Sequence, residues 1–221
     1  VQRNYELIIF DCDGVVIDSE IISASVLVEK LNACDVKVDL NYVLSHFLGR
    51  SFPTVRKLIE DTFSIRLSDG FEADYRNTLL ARFQTELHET NGFSAMLSAL
   101  KIKKCIATSS SPKRVSGSLS QLNLTDDFGQ NVFTASEVKQ GKPAPDLFLH
   151  AAKTMGTSPE NCLVIEDSPP GIQAGLAANM TVIHYRGGAH LAKSSPTKLE
   201  PSVQVISHWK ELISLYPHLF K

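Results

Sequence analysis

Apolar and polar positions alternate along this 221-residue chain in two different ways. Residues 5–10 are strand-like, and their apolar run Leu7-Ile8-Ile9-Phe10 leads directly into Asp11-Cys12-Asp13-Gly14. From there to about residue 90 the apolar positions recur at helical spacing. Ile21, Ala24, Val28 and Leu31 follow Ser19, a residue suited to capping a helix. Val55, Leu58, Ile59 and Phe63 follow Pro53, a proline placed for a first helical turn. Phe71, Tyr75, Leu79, Phe83 and Leu87 are spaced by four. The break Phe47-Leu48-Gly49-Arg50-Ser51 separates the first two helices and presents an arginine.

From Gly92 onward helix-like and strand-like stretches alternate. Strands are predicted at 104–108, 132–135, 162–165, 180–185 and 203–206. Helical patterns lie between them, around Met96, Leu119, Ala152 and 169–178, with a last one through Leu212. Repeated strand–helix units predict a mostly parallel sheet covered by helices on both faces. The expected fold is therefore α/β: a doubly wound, Rossmann-like parallel sheet core with an inserted α-helical cap domain. Residues 1–16 and 92–221 would form the core, and 17–91 the cap.

Composition narrows the function. A hydrophobic content of 43% supports a substantial core, and a formal net charge of −2 argues against nucleic-acid or membrane-surface binding. No apolar run approaches the roughly 18 residues of a membrane span. Without a basic, apolar leader pattern, the expectation is a soluble cytoplasmic protein. No long apolar stripe is left unassigned, so a monomer is expected. The four cysteines, Cys12, Cys34, Cys105 and Cys162, show no paired spacing and read as small apolar residues rather than ligands.

In open parallel sheets ligands bind beyond the C-terminal strand ends. The first strand ends in Asp11 and Asp13. The second ends in Thr108-Ser109-Ser110-Ser111, hydroxyls at a helix start that suit an anion. Gly141-Lys142-Pro143-Ala144-Pro145-Asp146 follows the third, and Glu166-Asp167-Ser168 ends the fourth. Each alone has a plainer explanation: a helix cap, a surface lysine, an acidic loop. Together, at equivalent strand ends, they indicate a phosphate site beside a divalent-cation site.

On these residues the chain resembles the haloacid dehalogenase-like superfamily, in its β-phosphoglucomutase-like group. The resemblance rests on Asp11-Cys12-Asp13-Gly14-Val15, the hydroxyl after the second core strand, Lys142-Pro143-x-Pro145-Asp146 and Glu166-Asp167-Ser168-x-x-Gly171-Ile172-x-Ala174. Asp18-Ser19-Glu20 makes it most similar to sugar phosphatases of the 6-phosphogluconate phosphatase type.

The resemblance implies that Asp11 is a nucleophile forming an aspartyl-phosphate and that Asp13 is the acid and base. Lys142 would bridge Asp11 and the phosphoryl group, which Thr108 or Ser109 would hold. Mg²⁺ would be bound by Asp11, Asp167 and the Asp13 backbone carbonyl, with Glu166 in support. Gly49 and Arg50 are the candidates for substrate binding from the cap.

The expected function is a Mg²⁺-dependent phosphatase for a small phosphorylated metabolite, a sugar or sugar-acid phosphate. A phosphosugar mutase and a non-enzymatic phospho-ligand binder are the alternatives. The mutase reading is weakened because Ser23 stands where β-phosphoglucomutases carry a cap histidine.

Overall fold

The computed structural model describes residues 3–47, 50–192 and 201–221. A six-stranded, wholly parallel sheet forms its centre, in the order β3-β2-β1-β4-β5-β6. The strands are β1 (Leu7–Phe10), β2 (Lys103–Thr108), β3 (Val132–Thr134), β4 (Cys162–Glu166), β5 (Thr181–Tyr185) and β6 (Gln204–Ile206). This is the doubly wound order, with the reversal beside β1.

β1 is apolar throughout because both of its faces are covered. Ile8 and Phe10 join Ile106, Leu163 and Ile165 in a cluster on one face. Leu7 and Ile9 join Cys105, Ala107, Cys162 and Val164 on the other. Cys12, Cys105 and Cys162 are buried as small apolar residues, whereas Cys34 is exposed.

α8 (Asp146–Thr154) and α9 (Pro169–Ala177) supply the second cluster. α5 (Phe93–Ala99), α6 (Pro112–Gln121), α7 (Thr125–Phe128) and α10 (Trp209–Leu215) supply the first. There Phe10 meets Phe93, Phe128 and Trp209 edge to face.

Between β1 and α5 the chain forms α1 (Glu20–Ala33), α2 (Leu40–His46), α3 (Phe52–Phe63) and α4 (Phe71–Glu86). Three of these follow the helical spacing in the sequence. α2 does not: it has seven residues with Val43 alone buried, too short for a periodic signal. It is held locally, by Asp39 Oδ1 accepting the Tyr42 N–H at 2.7 Å and by Tyr42 stacking on His46.

The outgoing and returning segments of this insertion are paired. The Asp18 N–H donates to His88 O at 2.9 Å, and the Thr90 N–H donates to Val16 O at 3.0 Å. The Thr90 hydroxyl donates to Val15 O and accepts from Trp209 Nε1 at 3.0 Å, so α10 is locked to the same junction. Among the described residues no helix is long and apolar enough to cross a membrane.

Candidate active site

Register brings the strand-end acids together. Phe10 pairs with Ile165, and the Asp11 N–H extends the ladder by donating to Ile165 O at 2.9 Å. The next residues on the two strands, Asp11 and Glu166, therefore emerge side by side, with Asp167 following. Candidate metal-ligand atoms of Asp11, Glu166 and Asp167 all lie within 4.8 Å of one another.

Lys142 reaches this cluster from the loop after β3. Its Nζ donates to Asp11 Oδ1 at 2.6 Å, Glu166 Oε1 at 2.7 Å and Ala107 O at 2.9 Å, and lies over the Phe148 ring. The side chain is 3% exposed, which removes the plainer expectation of a solvated surface lysine. Burial acts against its charge, but Asp11 and Glu166 raise its pKa overall.

Glu166 is fully occupied in holding the frame. Oε1 accepts from Lys142, while Oε2 accepts from both the N–H and the hydroxyl of Ser168 at 2.9 Å. Ser168 also caps α9 by accepting the Gly171 N–H. Two glycines leave room for the acids. A Cβ at Gly171 would lie 1.7 Å from Glu166 Oε1, and one at Gly14 would lie 2.0 Å from Asp167 Oδ2.

Burial pushes both Asp11 and Asp167 well above the usual carboxylate range. For each, the neighbouring carboxylates add to that rise and Lys142 opposes it. Three buried carboxylates face one ammonium, a two-charge deficit that a divalent cation matches. The donors are all oxygens, which suits the hard Mg²⁺ ion.

Asp13 sits in a different environment. Its carboxylate accepts from Arg114 Nη2 at 2.6 Å, Ser110 Oγ at 2.6 Å and Ser19 Oγ at 2.5 Å. Burial alone would raise its pKa, but the Arg114 guanidinium and these hydroxyls hold it below the ordinary value. Ser19 stands at the start of α1 as the sequence suggests, yet it does not cap the helix: its hydroxyl is used on Asp13.

Thr108 and Ser109 both line the cleft. Thr108 is buried and its Oγ1 accepts the Ser110 N–H at 3.0 Å. The cleft opens between the sheet and the insertion, with about 930 Å³ of space continuous with solvent. Ser23, Phe47, Arg50, Val55 and Tyr75 line its far side. Arg50 thus faces the cleft, whereas Gly49 lies outside the described residues.

Several residues at the site carried no expectation. Arg114 joins Asp13 to Ser23 Oγ at 2.9 Å and lies over the Phe83 ring, so one α6 side chain touches both sheet end and insertion. Arg76 crosses the other way, from α4 to Ser111 Oγ at 3.2 Å. Glu20 lines the cleft, and burial next to Asp13 pushes its carboxyl up to about 8. No local periodicity distinguishes these charges from surface ones. The Asp18-Ser19-Glu20 run was the available signal for Glu20.

Comparison with known proteins places the chain in a family. A sequence model of the haloacid dehalogenase-like hydrolase family matches residues 5–179. The chain is 29% identical over 213 residues to a 6-phosphogluconate phosphatase of Escherichia coli, covering 96% of this chain and 94% of that one. A haloacid dehalogenase-like protein from Agrobacterium tumefaciens superposes with a TM-score of 0.81 at 30% identity, covering 97% and 98% of the two chains. A family hydrolase from Deinococcus radiodurans, solved with bound phosphate and sodium, gives a TM-score of 0.77 at 27% identity, covering 100% and 99%. The chain belongs to the haloacid dehalogenase-like hydrolase family.

Proposed function

We propose that this protein is a Mg²⁺-dependent phosphatase that hydrolyses a small phosphorylated sugar or sugar acid through an aspartyl-phosphate on Asp11. It is a phosphoric monoester hydrolase of its family, and the similarity to 6-phosphogluconate phosphatase supports a sugar-type substrate. The observation that carries the reading is the Lys142–Asp11 contact of 2.6 Å inside a buried cluster where carboxylates outnumber the one ammonium.

Asp11 attacks phosphorus, forming the aspartyl–phosphorus bond as the ester P–O bond breaks. Lys142 holds Asp11 in line and neutralises charge on the phosphoryl oxygens. Thr108 and Ser109 donate to the same oxygens. Asp13 gives its proton to the departing alkoxide, then takes one from the water that cleaves the aspartyl-phosphate. For the first of these steps Asp13 must exchange Arg114 for a proton. Because Ser19 and Ser23 belong to the insertion side of this network, a shift of the insertion loosens that grip.

Asp11, Asp167 and the backbone carbonyl of Asp13 would hold the magnesium ion, with Glu166 fixing the frame around them. When bound, the ion supplies Lewis-acid stabilisation of the transferring phosphoryl group. Residues 17–91 serve as a lid over the 1–16 and 92–221 core, excluding water during transfer. Arg50 reads the anionic end of the substrate.

The test is release of inorganic phosphate from an aryl phosphate, then from a panel of phosphorylated sugars and sugar acids. Asp11→Asn abolishes release while leaving the circular-dichroism spectrum unchanged. Full activity in that variant would overturn the mechanism. Isomerised product without phosphate release would assign the chain to the mutases instead.

A further inference from the structure

One side chain in contact with the acidic cluster comes from an element that the strand-end pattern does not include. His190 is carried by the Gly187-Gly188-Ala189-His190 loop after β5. Its side chain is 1% exposed, and Nε2 lies 2.9 Å from Asp167 Oδ2. Among the described residues neither ring nitrogen has an aligned hydrogen-bond partner. A buried polar group left in that state is costly, so its placement calls for a partner that the site can turn toward it.

The ring occupies a slot made by glycines. A Cβ at Gly14 would lie 2.8 Å from His190 Cε1. One at Gly188 would lie 2.8 Å from that atom and 2.9 Å from Nδ1. Any side chain at either position would displace the imidazole.

The loop is also anchored to the insertion. The Ala189 N–H donates to both carboxylate oxygens of Asp18, at 3.1 and 3.2 Å. Asp18 in turn belongs to the paired outgoing and returning segments, through its own N–H on His88 O. On its other side Asp167 is held by His184, whose Nε2 lies 3.2 Å from the Asp167 carbonyl oxygen.

We propose that His190 is a positioning residue for Asp167: its Nε2–H orients the carboxylate that would hold the magnesium ion, and the Asp18–Ala189 contact ties that orientation to the junction of the insertion. The separation is already that of a hydrogen bond, and a turn of the carboxylate supplies the missing angle. Outer partners of this kind fix the direction of a ligand's lone pairs and so tune metal affinity.

The inference rests on the metal site proposed above, and its test does not use hydrolysis. Mn²⁺ serves as the probe, its free concentration read by electron paramagnetic resonance on the whole protein without substrate. His190→Leu weakens Mn²⁺ binding by roughly 10- to 100-fold, while the metal-free melting curve still shows a cooperative fold. His190→Gln, whose amide N–H reaches toward the same oxygen, restores most of the affinity. Asp18→Ala weakens binding in the same direction by releasing the loop.

Unchanged Mn²⁺ affinity in a folded His190→Leu protein would overturn the role, as would equal weakening by Leu and Gln, which marks a packing effect. If the Leu variant does not fold, His190→Asn takes its place under the same outcomes. Absence of Mn²⁺ binding by the unaltered protein would overturn the metal site itself. Binding indifferent to His190 would overturn this role alone.

Discussion

Arg114 Nη2 lies 2.6 Å from Asp13 Oδ1, so the group assigned to move protons is held as a carboxylate by a largely enclosed guanidinium. The two come from opposite parts of the sequence, Asp13 from the end of β1 and Arg114 from α6. Their side chains are 13% and 17% exposed, which leaves little solvent to screen the contact.

Breaking one side of such a pair strands the other. Arg114→Gln and Asp13→Asn are each expected to destabilise the fold by about 3 kcal/mol, within the range for buried pairs that lose one partner. The double variant loses clearly less than the two combined, because it strands no charge. Urea unfolding of the four proteins measures this. Strict additivity would show that the pair is not coupled. Because Asp13 titrates below its ordinary value, its contribution is present above the unfolded-state pKa and is lost as pH falls through the depressed one.

Asp11 and Asp167 behave in the opposite sense. Burial raises both, so in the metal-free protein their contribution to stability is greatest in acid and is lost as pH rises through the raised values. Mg²⁺ requires the ionised forms and competes with protons for them. At a hundred times its dissociation constant it is expected to raise the melting temperature by roughly 5–10 °C. At one fixed Mg²⁺ concentration the gain at pH 7.5 exceeds that at pH 5. Scanning fluorimetry with and without Mg²⁺ checks both, and a larger gain in acid would contradict the assignment.

Glu20 offers a separate pH signature. Its carboxyl is pushed up to about 8 from 4.5 by burial, with Asp13 and Asp167 adding and His190 and Arg114 opposing. Its contribution is therefore whole below 4.5 and is lost progressively as pH rises through 8. Glu20→Gln carries no charge at any pH. It should match the natural protein near pH 4 and exceed its stability by roughly 1–3 kcal/mol at pH 8.5. Denaturant unfolding of both proteins at the two pH values checks this, and the same stability difference at both would contradict the assignment.

Gly171 and Gly117 make a matched pair of helix glycines. A methyl at Gly171 meets the Glu166 carboxylate, the group that also holds Lys142. Gly171→Ala is expected to cost about 3–5 kcal/mol and to impair catalysis together with folding. At Gly117, within α6, an added Cβ meets nothing within 4 Å among the described residues. Gly117→Ala is expected to stabilise by roughly 0.5–1 kcal/mol. Similar losses at both sites would remove the steric explanation.

Much of this molecule was legible along the chain. Its central strands β1 and β4 are short apolar runs buried on both faces, and most helices carry periodic apolar positions. Both signals depend only on near neighbours in sequence. Asp11, Asp167 and Lys142 were readable as well, because parallel strands point their C-terminal ends in one direction. Residues directly after those ends, such as Asp11 and Asp167, converge on one edge, whereas Lys142 comes well past β3 and depends on its loop. The resemblance to the haloacid dehalogenase-like motif then implied a chemistry for them, which is the one proposed above.

Tertiary structure decided what each charge faces. Nothing near Lys142 in sequence announces that its ammonium is buried between Asp11 and Glu166. Ser19 would serve equally as a helix cap, and only the approach of β1 to α1 turns its hydroxyl onto Asp13. Arg114 and His190 look like ordinary polar residues of a helix and a loop. They become parts of the site through contacts with Asp13, 101 residues from Arg114, and with Asp167 across two glycines. Local patterns set the scaffold and the strand-end acids because backbone geometry is short-range. The electrostatic state of those acids depends on burial and on distant charges, and only the folded chain brings these together.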